Sequence, residues 1–343
     1  MAIPDPFDTP EFAADPFGER MRLAYARSWP VLGASFVFAS NSEALLALAA
    51  AAYDGLPAHR LAPVPPVFHI ELRLVPASAS GSHGEPGPVQ TSSGGGMVMG
   101  MVDASNHVIV SPAQRRAVVT VSEDRLAYPY HVRYELIEFA VYLLAARGQD
   151  LVSLHAACIG GEGRGVLLLG PSGAGKSTLT LQAALDGYDV MAEDGVFVEP
   201  KRLRATGVPN YLHVTDESLR WLDPAARRMV MASPRIQRRS GVEKFEIDLR
   251  AGALRPAPEP LDIVATILLS AQRTDGPLLE PIARDDAMVK LAADQPYAAR
   301  QPGWRRFVDT ALLRGVWVLR RGADPRATLE ALASWLSLQE AVG

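Results

Sequence analysis

The string Gly170-Pro171-Ser172-Gly173-Ala174-Gly175-Lys176-Ser177-Thr178 constrains this chain more than any other stretch. It follows the apolar run Val166–Leu169 and opens a segment with helical spacing. Gly170, Gly175, Lys176 and Ser177 fill every defining position of G-x-x-x-x-G-K-[ST], and the strand–loop–helix setting is the one that pattern requires. Each residue type has a chemical reason. Glycines let backbone N–H groups turn inward around phosphate oxygens, where a larger residue would block the approach. The helix that follows points its positive end at the anion. Lys176 reaches the β/γ-phosphates and the Ser177 hydroxyl binds Mg²⁺ in such a loop. Thr178 either supports that binding or caps the helix. An ordinary glycine-rich turn would not need all four positions filled together.

The rest of the chain bounds what the loop can belong to. At 343 residues and 48% hydrophobic, there is material for two domains and a sizeable core. A net charge of −4 gives no reason to expect a nucleic-acid partner. The single cysteine, Cys158, excludes an internal disulfide and points to a reducing, cytoplasmic setting. It reads as a small core residue. The opening MAIPDPFDTPEF lacks the basic and apolar regions of a signal peptide. No uncharged apolar run reaches about 18 residues, so no membrane span is expected.

Residues 1–30, rich in Pro, Asp and Phe, read as an extended arm. A strand is expected over Leu32–Phe38, then a helix capped by Asn41 or Ser42. Val67–Val75 alternates, with Phe68, Ile70, Leu72 and Leu74 opposite His69, Glu71 and Arg73, as in a half-buried strand. Pro76–Gly96, loaded with Ser, Gly and Pro, reads as a mobile loop. Strands are expected at Val108–Val110 and Ala117–Val121, and a helix over Tyr134–Arg147 that Gly148 stops. From Leu154 onward strands and helices alternate: Leu154–Ile159, Val166–Leu169, the loop helix ending at Gly187, and a short strand from Val190. Further strands fall near Phe197, at Phe245–Leu249, Ile263–Leu269 and Val316–Leu319. A final helix starts at Asp324-Pro325. This pattern predicts an α/β core over residues 151–343 behind an α+β domain over residues 1–150.

Loops of this type also occur in transporter ATPases. Those carry an LSGGQ-like signature and a distant apolar strand ending in Asp-Glu, and neither is present. An acidic pair, Glu193-Asp194, arrives early instead, in GYDVMAEDGVFVEP. One helix, a turn and one short strand fill the interval from Lys176. That returns both carboxylates to the mouth of the loop, at the carboxyl ends of neighbouring strands.

The stretch LHAACIGGEGRGVLLLGPSGAGKSTLTLQAALDGYDVMAEDGVFV resembles the catalytic core of HPr kinase/phosphorylase and related P-loop serine kinases. The shared features are His155 on the strand before the loop, the loop itself, Gly187, and the acidic pair. GVEKFEIDLRAG, residues 241–252, resembles the family's strand and basic loop more loosely. The family usually has Asp-Asp where this chain has Glu193-Asp194. The segment beyond the pair, GVPNYLHVTDESLRWLDP, also replaces the family's signature. These departures point away from HPr as the acceptor.

The resemblance implies an ATP- and Mg²⁺-dependent kinase acting on a hydroxyl, Ser or Thr of a peptide or protein, with homo-oligomers common. A small hydroxylated metabolite as acceptor, or a non-catalytic nucleotide-binding regulatory module, stays open. So does ATP against GTP. Ser177 with Glu193 or Asp194 would hold the metal. Asp194 would act as base with Glu193 as metal ligand, or the reverse. On its residues alone His155 reads as a core histidine; the resemblance sets it beside the acidic pair. Lys244 and Arg250 fall on one polar strand face, a solvated face by itself. The resemblance would bring a basic residue there, Arg250 first, to the phosphates. Arg235–Arg239 reads as a solvated loop or as a lid over phosphate. His213 reads as structural or as a surface residue.

Overall fold

The computed structural model describes residues 21–77, 85–239, 241–274 and 276–342. The fold is α/β with mixed sheets. The chain divides into two compact units: residues 1–30, 34–54 and 65–149, and residues 31–33, 55–64 and 150–343. The expected positions 1–20 of the arm and 78–84 of the mobile loop lie outside the described residues.

In the first unit seven described strands form one sheet, in the order Tyr25–Val31, Ala34–Ser40, Val67–Val75, Arg116–Ser122, Asn106–Ser111, Met97–Asp103, Gln90–Gly94. Val67–Val75 pairs in parallel with both neighbours. The helix Glu43–Tyr53 makes the first of those crossovers, and Ser42 caps it by accepting from the Leu45 amide. Phe68, Ile70 and Leu72 are buried as the alternation requires. Two expectations fail here. Residues 25–31 are a strand and not part of an arm, because the turn at Leu32-Gly33 splits the apolar run 29–38 between two strands. Residues 90–94 are also a strand, exposed along its length, so composition alone misread it. The helical stretch before Gly148 begins earlier than expected, at Pro129, through a π-helical segment Val132–Ile137. Gly148 ends the helix without a positive φ. Its constraint is space: a Cβ there would come within 2.4 Å of the Phe68 ring.

In the second unit ten described strands form the main sheet, running Arg255–Pro256, Asp189–Ala192, Ala157–Gly161, Arg164–Leu169, Leu261–Arg273, Arg204–Gly207, Gly195–Glu199, Val152–His155, with Val316–Arg321 and Leu279–Pro281 alongside. Arg164–Leu169 and Val316–Arg321 both pair in parallel with the long strand Leu261–Arg273. The single strand expected over 154–159 is two. Val152–His155 pairs with 195–198 at the sheet edge, and Ala157–Gly161 pairs with 164–168 in the centre. Cys158 is fully buried among Leu167, Leu169 and Met191, and burial pushes its thiol pKa up.

The loop helix, Lys176–Leu185, has two apolar faces. Leu179 and Ala183 pack on the central sheet with Ile159, Val166 and Leu168. Leu181 and Ala184 pack on a separate three-stranded sheet of Tyr211–Val214, Glu243–Asp248 and Arg235–Gln237. Each fully buried leucine contributes about 2 kcal/mol, so both sheets fix the helix axis. The alternation that turns Leu212 and Val214 toward the helix turns His213 away from it. Antiparallel register then sets His213 opposite Glu246.

Residues 55–64 are tied into the second unit by His59, which is 5% exposed. Its Nε2 faces the Ala257 carbonyl at 3.0 Å and its Nδ1 the Thr206 hydroxyl at 2.7 Å. A carbonyl only accepts, so Nε2 carries the proton and Nδ1 accepts from Thr206. Burial lowers the His59 pKa, against the raising effects of Ala257 and Glu259. The unfolded chain therefore binds more protons, and stability falls as pH drops from about 6.5 through the lowered folded value. Thermal midpoints measured from pH 7 to 5 should fall more steeply for the native chain than for His59→Gln, which keeps both bonds and does not titrate.

Candidate active site

The Gly170–Thr178 loop occupies the turn between Arg164–Leu169 and the helix that Lys176 begins. Gly175, the residue before the helix, sits at φ 104, a conformation that favours glycine. Gly170 lies against Leu269: a Cβ would meet the Leu269 carbonyl at 2.9 Å. Lys176 is buried, and its ammonium donates to the Gly170 carbonyl. Burial lowers the Lys176 pKa, while Asp294, Asp194 and Glu193 pull it back up. A cavity of about 560 Å³ opens over the loop. Pro171 to Thr178, His155, Glu193 and Asp194 all line it.

Glu193 and Asp194 follow the strand Asp189–Ala192 directly and face different partners. The Ser177 hydroxyl donates to Glu193 Oε1. The other oxygen, Glu193 Oε2, is buried with no hydrogen-bond partner among the described residues. His213 Nδ1 stands 3.7 Å from it, beyond hydrogen-bond length. A buried carboxylate oxygen left open beside a hydroxyl is a fitting pair of ligands for a hard cation. Among the described residues no group of three or more His, Cys, Asp or Glu side chains could hold a metal alone. A Mg²⁺ here would draw its remaining ligands from water and nucleotide phosphates, as that ion commonly does.

Asp194 turns toward the cavity, half exposed, with Oδ1 2.9 Å from His155 Nε2 and Oδ2 3.7 Å from Arg238 Nη1. Burial alone would raise its pKa. The His155 hydrogen bond and the charges of His155, Arg238 and Lys244 outweigh that and hold the carboxyl well below the ordinary range. His155 was expected on a buried strand, yet its side chain is 56% exposed. It ends the edge strand, where the chain leaves for the sheet centre, and so projects into the cavity.

Three residues, Asp294, Gln295 and Gln301, reach this region from far along the sequence. Gln295 accepts from the His155 amide at 2.9 Å and donates to the His155 carbonyl at 2.8 Å. Asp294 accepts from the Gly170 amide at 3.2 Å and from Gln295 Nε2 at 2.8 Å. Gln301 makes the same double contact with Ser153, at 2.9 and 3.1 Å. The adjacent residues Asp294 and Gln295 thus join the first loop glycine to the backbone of His155.

His213 is not a bystander. It is buried, lines the cavity, and lies 3.4 Å from Glu246 Oε1 through Nε2. Burial lowers its pKa, but Glu193 and Glu246 together raise it overall. Arg238 Nη2 lies 3.3 Å from His213 Nδ1. The run 235–239 is therefore neither a solvated loop nor a lid as a whole. Arg235–Gln237 is a strand, Arg235 is paired with Asp216 at 2.9 Å and Glu243 at 3.1 Å, and only Arg238 is shown reaching the acidic pair. The expectation for Arg250 fails. Its strand ends at Asp248, and an Asx turn directs the guanidinium back to Asp248 at 2.8 Å and over the Tyr211 ring at 4.9 Å. Arg250 does not line the cavity; Lys244, earlier on the same strand, does.

No family model matches the chain, and no curated protein matches it. Among solved structures it is similar to the HPr(Ser) kinase/phosphatase from Coxiella burnetii, at 13% identity and a TM-score of 0.27. The match covers 56% of this chain and 99% of that one. The relation is distant and structural. At that TM-score, activity has to be argued from the site itself.

Among the described residues, no helix is long and apolar enough to cross a membrane.

Proposed function

We propose that this chain is a phosphotransferase that uses ATP and Mg²⁺ to phosphorylate a hydroxyl group, a Ser or Thr of a peptide or protein. The observation that carries this reading is the division of labour between adjacent carboxylates. Glu193 sits on the Ser177 hydroxyl with one oxygen open, while Asp194 faces the cavity on His155. A nucleotide switch needs the first arrangement and has no use for the second.

Bound MgATP would supply the transferable phosphoryl group and neutralise part of its charge. The chain's own residues supply the rest. Lys176 and the loop amides hold phosphate oxygens. Ser177 and Glu193 offer metal ligands. Asp194 accepts the proton of an incoming hydroxyl at its cavity-facing carboxylate, and His155 and Arg238 keep that carboxylate ionised and oriented. The Gln295 clasp holds the His155 backbone in place. The first unit is the proposed acceptor-recognition module. Its sheet ends on the exposed strand Gln90–Gly94, beside the exposed Met97 and Met101, an edge suited to an extended peptide.

The test is transfer of γ-labelled phosphate from ATP to a panel of Ser- and Thr-containing peptides by the purified chain. Label appearing on a peptide only with Mg²⁺ is the expected result. Nucleotide binding with no label on any peptide or small hydroxylated compound would favour a regulatory module instead.

A further inference from the structure

The loop has a direction. Its lysine serves the β/γ-phosphates, whereas amides further into the helix cradle the α/β end. With the γ end toward Glu193 and Asp194, as the proposed transfer requires, the nucleoside would leave past Thr178. The Thr178 hydroxyl is bonded to the Ser218 hydroxyl at 3.0 Å. Ser218 belongs to the 3₁₀ turn Asp216–Trp221, which therefore stands at the nucleoside end of the loop.

That turn is held firmly. Ser218 and Leu219 are buried, Asp216 pairs with Arg235 at 2.9 Å, and the next helix is capped by Asp223. It ends in Trp221, the one Trp, Tyr or Phe ring lining the cavity among the described residues. Trp221 is 37% exposed, and the Arg220 guanidinium lies 4.8 Å from its ring centroid. A half-exposed indole on an anchored turn, steadied by a cation, is a stacking platform.

The cavity's other arm, around Arg321–Pro325, lacks these features. Its helix N-terminus is satisfied by its own Asp324, and Arg321 is spent on the Gly173 carbonyl.

We infer that Trp221, backed by Arg220, is the nucleoside subsite, stacking on the purine base of the bound triphosphate. This rests on the phosphotransferase reading and adds to it where the nucleotide lies.

The test is calorimetric binding of MgATP and of magnesium tripolyphosphate to the full chain, beside Trp221→Ala and Trp221→Phe. Tripolyphosphate engages the loop without a base. The native chain should prefer ATP. Trp221→Ala should weaken ATP about tenfold or more and leave tripolyphosphate unchanged, while Trp221→Phe retains most of the preference. Native-like thermal midpoints would show that both variants fold. An unchanged ATP-to-tripolyphosphate ratio in Trp221→Ala would overturn the subsite and spare the enzyme. So would loss of that ratio on filling the other arm with Ala323→Trp. A native chain that binds neither ligand would remove the phosphate-loop reading and the subsite with it.

Discussion

Replacing Lys176 with methionine is expected to lower the phosphoryl-transfer rate about 10³-fold while leaving the protein folded. The lysine is buried at the mouth of the loop, and its ammonium is parked on the Gly170 carbonyl. Burial lowers its pKa, which marks a charge held in place against its own desolvation. Methionine fills similar volume without that cost, so the thermal midpoint should hold or rise. Binding of tripolyphosphate should weaken together with turnover, because one cation serves both. A variant that keeps full turnover would show that this lysine does not touch the transferred group.

Asp194→Asn is the second large effect, a loss of about 10²- to 10⁴-fold in kcat with nucleotide binding preserved. Asparagine keeps the shape but accepts no proton. The split between kcat and binding separates this role from that of Glu193, whose replacement by glutamine should instead raise the Mg²⁺ concentration needed for half-maximal rate. The pH profile adds a check. The folded pKa of Asp194 is depressed, so its ionised form gives stability that is present above about 3.9 and lost as pH falls through the lower folded value. Asp194 should therefore contribute no acid limb to activity near neutrality. Full transfer by Asp194→Asn would end its assignment as base.

What the sequence disclosed, it disclosed through local pattern. The loop, the acidic pair and the start of the last helix each announce themselves within about a dozen residues, because glycine φ values, N-caps and strand alternation are short-range constraints. Asp324 and Pro325 do cap and open the last helix, as their types require. Arg250 shows where alternation misleads. Counting by twos is valid only while the strand lasts, and this one stops two residues sooner. His213, Arg238 and Trp221 could not be ranked from their neighbours. Their value depends on strand register and on the Thr178–Ser218 contact across 40 positions. A hint was present for His213, a polar residue set between Leu212 and Val214, but the opposing Glu246 had to be known first. Gln295 and Gln301 carried no signal at all, since a glutamine amide standing in for a neighbouring strand has no local pattern.

Those two glutamines have a consequence beyond holding a histidine. Val152–His155 is the terminal strand of its sheet, with one side of its backbone unpaired by any other strand. Side-chain amides at 295 and 301 answer the N–H and C=O groups of residues 153 and 155 in the manner of a phantom further strand. An open border of this kind invites fusion with a second molecule. Here the invitation is withdrawn by a segment about 140 residues downstream, and the same segment grips Gly170, the first glycine of the Gly170–Thr178 loop. Covering the sheet border and tying His155 to the Gly170–Thr178 loop are thus one task, performed by the short stretch 294–301.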